Sequence, residues 1–430
     1  MNDAAQNAPV VHQVLDPGFL HEQLKTVEDA GGGLLSPRQY KRMFADLEKA
    51  DASPVSGADP TQGEQAYLPR SPAVSLLQST LTDCITSRFE DLVKPLPPGE
   101  NSFADYVLRE GDVFRKFGPC DAGWVESVIS KGLSLLHNKP NFVNAPPDVT
   151  IAENARVVVV GDWGTGLAGA KAVGEQMAAW VQEAKAENRE VHVLHLGDVY
   201  YSGWKEEYEA RFMPYWPVHS AAEGVPSWAL NGNHDMYSGG HGYFGYLLRD
   251  PRFAGQRGSS YFCLQNSSWQ LLGLDSAYED EDLASDQAGW VAEKHEDTQR
   301  KTMLLTHHEP FSSFGGGGTP KMVEKLEPAF AERQIDAWLW GHEHLCCIYE
   351  PEREKYLRFG SCIGHGGVPV LHDDAAKPND VAWRDEGYEA IVGEKWQLCG
   401  FAVLDFAGPK IDIRYYSQLG GEPVNSATIE

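Results

Sequence analysis

Residues 156–164 read Arg156-Val157-Val158-Val159-Val160-Gly161-Asp162-Trp163-Gly164, and the passage from the valine run into the glycine-flanked aspartate decides the fold. Four consecutive β-branched residues suit a strand buried on both faces. A glycine-rich turn follows, then a helical stretch from about Ala168 to Glu187. The sequence predicts further strands at Val191 to Leu196 and Trp228 to Leu230, with a helix around Glu206 to Phe212 between them. Tyr261 to Leu264 and Trp269 to Leu274 read as paired strands. A helix around Ala288 to Arg300 precedes the strand Met303 to Leu305, and the helix Lys321 to Arg333 leads to the strand Ala337 to Trp340. Phe401 to Phe406 and Ile411 to Tyr416 give a β-rich tail. Apolar strands alternating with helices argue for a layered α/β fold with helices outside.

Outward in the other direction the texture changes. Residues 1–150 read as a mostly helical region without recognisable chemistry. Leu76 to Val93 and Asp121 to His137 both carry apolar residues at helical spacing. Asn141 to Asn154, with Pro146 and Pro147, reads as a linker to a domain of residues 151–430.

Composition narrows the function. The 430 residues carry 62 acids against 36 bases, a formal charge of −26, which disfavours a DNA- or RNA-binding platform. No stretch reaches the roughly 18 consecutive apolar residues of a membrane span. Met1 to Val10 lacks a basic flank and apolar stretch, and seven cysteines do not pair off into a disulfide framework. Reduced thiols in a cytoplasm are the expectation.

The polar residues at the strand ends carry the chemistry. Gly161-Asp162-Trp163-Gly164 follows the first strand, Gly197-Asp198-Val199-Tyr200-Tyr201 the second, and Gly232-Asn233-His234-Asp235 the third. Thr306-His307-His308-Glu309 and Gly341-His342-Glu343-His344 end two later strands. Ligands gather beyond the carboxyl ends of such strands. Aspartate, aspartate with tyrosine, Asn-His, histidine and His-x-His together form the donor set of a metal centre.

These five motifs, in this order, resemble those of the calcineurin-like metallophosphoesterases, and within them the purple acid phosphatase type, over roughly residues 155 to 345. The resemblance implies a layered αββα sandwich and a binuclear metal centre. It assigns Asp162, Asp198, Tyr201 and His344 to a first metal, and Asp198, Asn233, His307 and His342 to a second, with Asp198 bridging. Most relatives open with Asp-x-His. Here the histidine position is Gly164, which has no donor, and Tyr201 is the expected replacement. A phenolate is a hard anionic donor suited to a trivalent ion, so iron(III) with a divalent iron, zinc or manganese is implied. Tyr200, its neighbour, is the spare candidate, but points to the opposite face if the segment is extended.

The reaction implied is hydrolysis of a small phosphate monoester by metal-bound hydroxide, the two cations being roughly 3.5–4 Å apart. His234 is left off the metals, as phosphate contact or proton donor. Neither a Gly-x-Ser-x-Gly elbow nor a Walker-type loop offers a competing mechanism. Phosphodiester hydrolysis and a non-catalytic scaffold are the alternatives.

His308, His241 and His365 are substrate-contact candidates, the last two on glycine-rich loops. Gly315 to Gly318 reads as a mobile loop, Glu279 to Asp282 as a solvated acidic turn, and Cys346 and Cys347 as packed thiols.

Overall fold

The computed structural model describes residues 107–109, 112–114 and 139–430, apart from 297–298, 315–317, 352, 371 and 392–393. The helices expected at Leu76 to Val93 and Asp121 to His137 lie outside the described residues. Within 1–138, the described segments Val107–Arg109 and Asp112–Phe114 pair as a short antiparallel hairpin.

Two sheets face each other. The six-stranded sheet is built on β2 (Arg156–Val160), β3 (Val191–His195) and β4 (Ser227–Ala229), which run parallel. It is extended antiparallel by β12 (Gly400–Ala407), β13 (Lys410–Ser417) and β14 (Asn425–Ile429), giving the order β14-β13-β12-β2-β3-β4. The eight-stranded sheet runs β11-β9-β10-β8-β7-β6-β5-β1. Its strands are β1 (Asp148–Thr150), β5 (Phe262–Gln265), β6 (Trp269–Gly273), β7 (Lys301–Thr306), β8 (Ala337–Trp340), β9 (Cys346–Tyr349), β10 (Gly360–Ile363) and β11 (Val381–Arg384). At its centre β6, β7, β8 and β10 are parallel. A separate hairpin joins Tyr388–Ile391 to Glu394–Gln397.

Alternation within the strands divides the core into three layers. Val157, Val159, Leu194, Leu196, Leu271, Met303, Leu305, Leu339 and Leu404 fill the space between the sheets. On the outer face of the six-stranded sheet, Val158, Val160 and Val193 pack under α1 (Ala168–Ala186) through Ala170, Val173, Met177 and Val181. On the outer face of the eight-stranded sheet, Leu272, Leu304 and Trp338 pack under α4 (Gln287–Glu296) and α5 (Pro320–Phe330). The αββα sandwich is thus a consequence of strands that are apolar on both faces. Two short helices, α2 (Asn233–Tyr237) and α3 (His241–Gly245), follow β4.

Two details differ from the sequence reading. The stretch read as a linker contains β1, which pairs in parallel with β5 at the sheet edge. The expected helix around Glu206 to Phe212 is one α-turn at Lys205–Glu207 that widens into π-helical Tyr208–Phe212. Cys346 and Cys347 lie in β9, and both are buried free thiols, packed as expected. Glu279 to Asp282 forms an exposed turn whose Asp282 pairs with Lys325 at 2.8 Å. Of the glycine run, only Gly318 is described.

Candidate metal centre

Parallel β2, β3 and β4 in one sheet and β7 and β8 in the other end at the same edge of the sandwich. There they deliver Asp162, Asp198, Asn233, His307, His342 and His344. Asp162, Asp198 and His342 all have positive φ, at 55°, 75° and 64°, so the chain turns sharply as it leaves each strand. Asp162, Asp198 and His307 are at most 1% exposed. His342 and His344 are the more open members, their side chains 28% and 15% exposed, and they mark the side from which solvent reaches the site.

Donor atoms converge in two groups. In the first, the Tyr200 hydroxyl oxygen lies 3.0 Å from Asp162 Oδ1, 3.1 Å from Asp198 Oδ2 and 2.9 Å from His344 Nε2. His344 Nε2 is itself 3.5 Å from Asp162 Oδ1. In the second, His307 Nε2 is 3.0 Å from Asn233 Oδ1, 3.2 Å from His342 Nδ1 and 3.5 Å from Asp198 Oδ1. The two oxygens of Asp198 therefore face different groups. His308 joins His307 and His342 in the second, where Ser276 Oγ lies 3.0 Å from its Nδ1.

Proton counting shows that a cation fits both places. One phenol proton cannot satisfy two carboxylate oxygens and an imidazole at once. In the second group, His307 Nδ1 lies 3.0 Å from the Leu196 carbonyl. A carbonyl only accepts, so Nδ1 carries the proton and Nε2 presents a lone pair. The Asn233 amide is turned by its Nδ2, which donates to Tyr237 Oη at 2.8 Å, leaving Oδ1 toward that same lone pair. Lone pairs facing one another at about 3 Å are the arrangement of ligands around an ion with bonds of about 2.0–2.2 Å. Room is made for them: a Cβ at Gly232 would stand 2.1 Å from Asp198 Oδ1.

Titration behaviour agrees. Burial raises the Asp162 carboxyl to about 7 against the pull of His342, and burial raises Asp198 and Tyr200 as well. Burial lowers His344 to about 4 and His307 well below the usual histidine range. His342 is the exception. Burial lowers it, but the carboxylates of Glu309, Asp198 and Asp162 together raise it. A buried group that disfavours its own negative charges is one that a bound cation would complete.

The tyrosine assignment is corrected by this geometry. Tyr200, not Tyr201, brings its hydroxyl into the first group. Residues 200–202 form a turn rather than an extended strand, so counting faces from Tyr201 fails. The Tyr201 ring lies under the Arg211 guanidinium at 4.9 Å, and its carbonyl is 2.7 Å from His234 Nδ1. Gly164 is also explained: a Cβ there would meet Val199 Cγ2 at 2.6 Å, leaving no space for a histidine.

His234 stands beside the bridge, its backbone N–H donating to Asp198 Oδ1 at 2.9 Å. Its ring packs between Tyr200 and Tyr237, with centroids 4.5 and 4.7 Å away, and burial lowers its pKa to about 4. The remaining substrate candidates are not brought in. His365 is buried against Gly400, and its Nε2 lies 4.0 Å from Asp385 Oδ2. His241 is half-buried at the start of α3 and belongs to neither donor group.

Sequence reasoning missed the supports. Asp235 accepts the backbone N–H groups of Gly232, Asp198 and Val199 at 2.7, 2.9 and 3.1 Å, and the Tyr208 hydroxyl at 2.5 Å. It ties the β3 and β4 ends together. Its place three residues after Gly232, at the third position of α2, was the available signal. Tyr237 stands four residues after Asn233, a spacing that is informative only once a helix is placed there.

Comparison with known proteins follows the same lines. Residues 155–346 match the family model described as calcineurin-like phosphoesterase. Tartrate-resistant acid phosphatase type 5 of Oryctolagus cuniculus is 25% identical over 303 residues, covering 62% of this chain and 88% of the relative. The Homo sapiens protein of the same name is 25% identical over 300 residues, with the same shares covered. A solved structure described as GAP50, the anchor in the inner membrane complex of Plasmodium, superposes with a TM-score of 0.48 at 12% identity, covering 64% of this chain and 89% of that one.

Proposed function

Because the chain carries a calcineurin-like phosphoesterase domain across residues 155–346, we propose that it hydrolyses phosphate monoesters at a two-metal centre. The observation that carries this reading is Asp198, whose Oδ2 faces Tyr200 and whose Oδ1 faces His307, the placement of a carboxylate shared between two ions. Asp162, Asp198, Tyr200 and His344 would hold the first, and Asp198, Asn233, His307 and His342 the second. A phenol oxygen beside two carboxylates suits iron(III), and an amide oxygen with two imidazoles suits a divalent iron, zinc or manganese.

When bound, the cations would supply positive charge for the phosphoryl oxygens and a lowered pKa for the attacking water. The protein does the rest. Asp235 fixes the backbone that aims Asp198, and Tyr237 fixes the amide of Asn233. His234 is held by the Tyr201 carbonyl at Nδ1, so any proton it exchanges with a leaving group passes through Nε2. The fit of tartrate-resistant acid phosphatase over 88% of its length supports the monoester reading.

The test is hydrolysis of nitrophenyl phosphate and bis(nitrophenyl) phosphate by metal-analysed protein, before and after chelation. The expectation is monoester turnover that chelator abolishes and metal restores. Preference for the diester would replace the monoesterase reading, and an inactive protein with both ions bound would make the domain a scaffold.

A further inference from the structure

Glu309 follows His307 and His308 at the end of β7. It is only 6% exposed, and its Oε2 is buried without a hydrogen-bond partner. That oxygen lies 4.0 Å from His342 Nε2. The backbone of Glu309 is pinned, since its carbonyl accepts both the Thr319 N–H at 3.1 Å and the Thr319 hydroxyl at 2.6 Å. The backbone that carries the carboxylate is therefore held in place.

The two edges of the His342 ring face different groups. Nδ1 looks at His307 Nε2, 3.2 Å away, where donor lone pairs already gather. Nε2 looks at Glu309. A neutral imidazole with its lone pair on Nδ1 carries its proton on Nε2, and the orphaned carboxylate oxygen faces that edge. The separation exceeds a direct hydrogen bond by about 1 Å, a gap closed by a side-chain rotation or one water.

Charge points the same way. The first group contains Asp162, a share of Asp198 and a phenol. The second contains neutral Asn233, His307 and His342 besides its share of Asp198, so a divalent ion there is less neutralised.

We propose that Glu309 is the positioning residue of the second metal site, holding the Nε2 edge of His342 so that Nδ1 is the donor, and adding negative charge beside that ion. The inference rests on the two-metal reading above. Carboxylates that orient ligating histidines in this way typically change metal affinity by about 10–100-fold when removed.

The experiment uses the full chain, with zinc or manganese titrated into metal-free protein at buffered free concentrations and bound metal measured directly. Wild type should take up two ions. Glu309→Ala should bind the second about 10–100-fold more weakly and the first unchanged. Glu309→Gln, whose amide oxygen still accepts from Nε2–H, should recover most of the loss. Metal-free melting temperatures of both variants should match that of metal-free wild type.

Wild-type affinity for both ions in Glu309→Ala overturns the proposal while leaving the two-metal centre standing. Equal losses in both variants with lowered metal-free melting temperatures also overturn it, assigning Glu309 a folding role. A wild-type chain that binds no second ion removes both readings together.

Discussion

The hydroxyl oxygen of Tyr200 lies 2.9 Å from Nε2 of His344, although 144 positions separate the two residues. The contact joins the end of β3 in one sheet to the loop after β8 in the other. It places a phenol where Gly164 offers no side chain, between two carboxylates that burial has already driven toward the neutral form.

Colour distinguishes the two adjacent tyrosines. With iron(III) at the first position, phenolate-to-metal charge transfer should give a visible absorption band and a pink to violet protein. Tyr200→Phe should bleach it, and Tyr201→Phe should leave the band in place, since that ring lies under Arg211. Absorption spectra of the purified, iron-loaded variants make the comparison. Bleaching by Tyr201→Phe alone would restore the assignment that the family resemblance implies.

The contrast shows which parts of the site were legible. Arg156–Val160 and Ala337–Trp340 match their expected spans to the residue, because apolar runs bounded by glycine or charge leave one reading. The donors beyond them were legible for the same reason, being fixed by a short distance along the chain from a strand end. Tyr200 was not, because its direction depends on the turn at 200–202 and not on strand alternation. Glu309 faces His342, which it meets only after folding, and Tyr237 holds Asn233 across one turn of a short helix that the sequence reading did not place. β1 was hidden by Pro146 and Pro147 next to a strand of three residues at a sheet edge, where local signals are weakest.

Asp235 should prove structural as well as functional. Asp235→Ala leaves three backbone N–H groups and the Tyr208 hydroxyl without their acceptor in a buried place. Each such group costs about 1–3 kcal/mol, and water entering the vacated space relieves part of it. A net loss of roughly 3 kcal/mol in unfolding free energy is expected, with Asp235→Asn intermediate because one oxygen still accepts. Urea unfolding of metal-free protein measures this free of any effect on ligand binding. A change below about 0.5 kcal/mol, the usual size for surface positions, would mean other acceptors replace Asp235.

Acid sensitivity should trace in part to His195, which lies at the end of β3 among Trp163, Phe212 and Trp216. Burial lowers its pKa from 6.5 to about 3. The folded state thus holds it neutral while the unfolded chain takes up a proton. Its contribution is complete above the unfolded value and is lost progressively as pH falls from about 6.5 toward about 3, near 1.4 kcal/mol per unit. At pH 5 the loss should be about 2 kcal/mol. The difference in unfolding free energy between wild type and His195→Leu, followed from pH 8 to pH 4, should change with that slope. Parallel curves would show that the histidine is not kept neutral.

His234 separates binding from chemistry. No donor group needs it, and its Nδ1 is engaged by the Tyr201 carbonyl, so His234→Asn should leave bound metal unchanged. Turnover should fall by roughly 10²–10⁴, the usual contribution of a positioned acid or base. The loss should depend on the substrate. An alkoxide leaving group of high pKa needs a proton as the ester bond breaks, whereas nitrophenolate departs without one. Across phosphate esters of graded leaving-group pKa, the variant should therefore show a steeper dependence of rate on that pKa than wild type, with nitrophenyl phosphate least affected. An equal loss for every ester would mean that Nε2 contacts the phosphate and donates no proton to the leaving oxygen. The two roles also part in pH dependence: removing a proton donor eliminates the basic limb of the rate profile, and removing a phosphate contact lowers the whole profile without changing its shape.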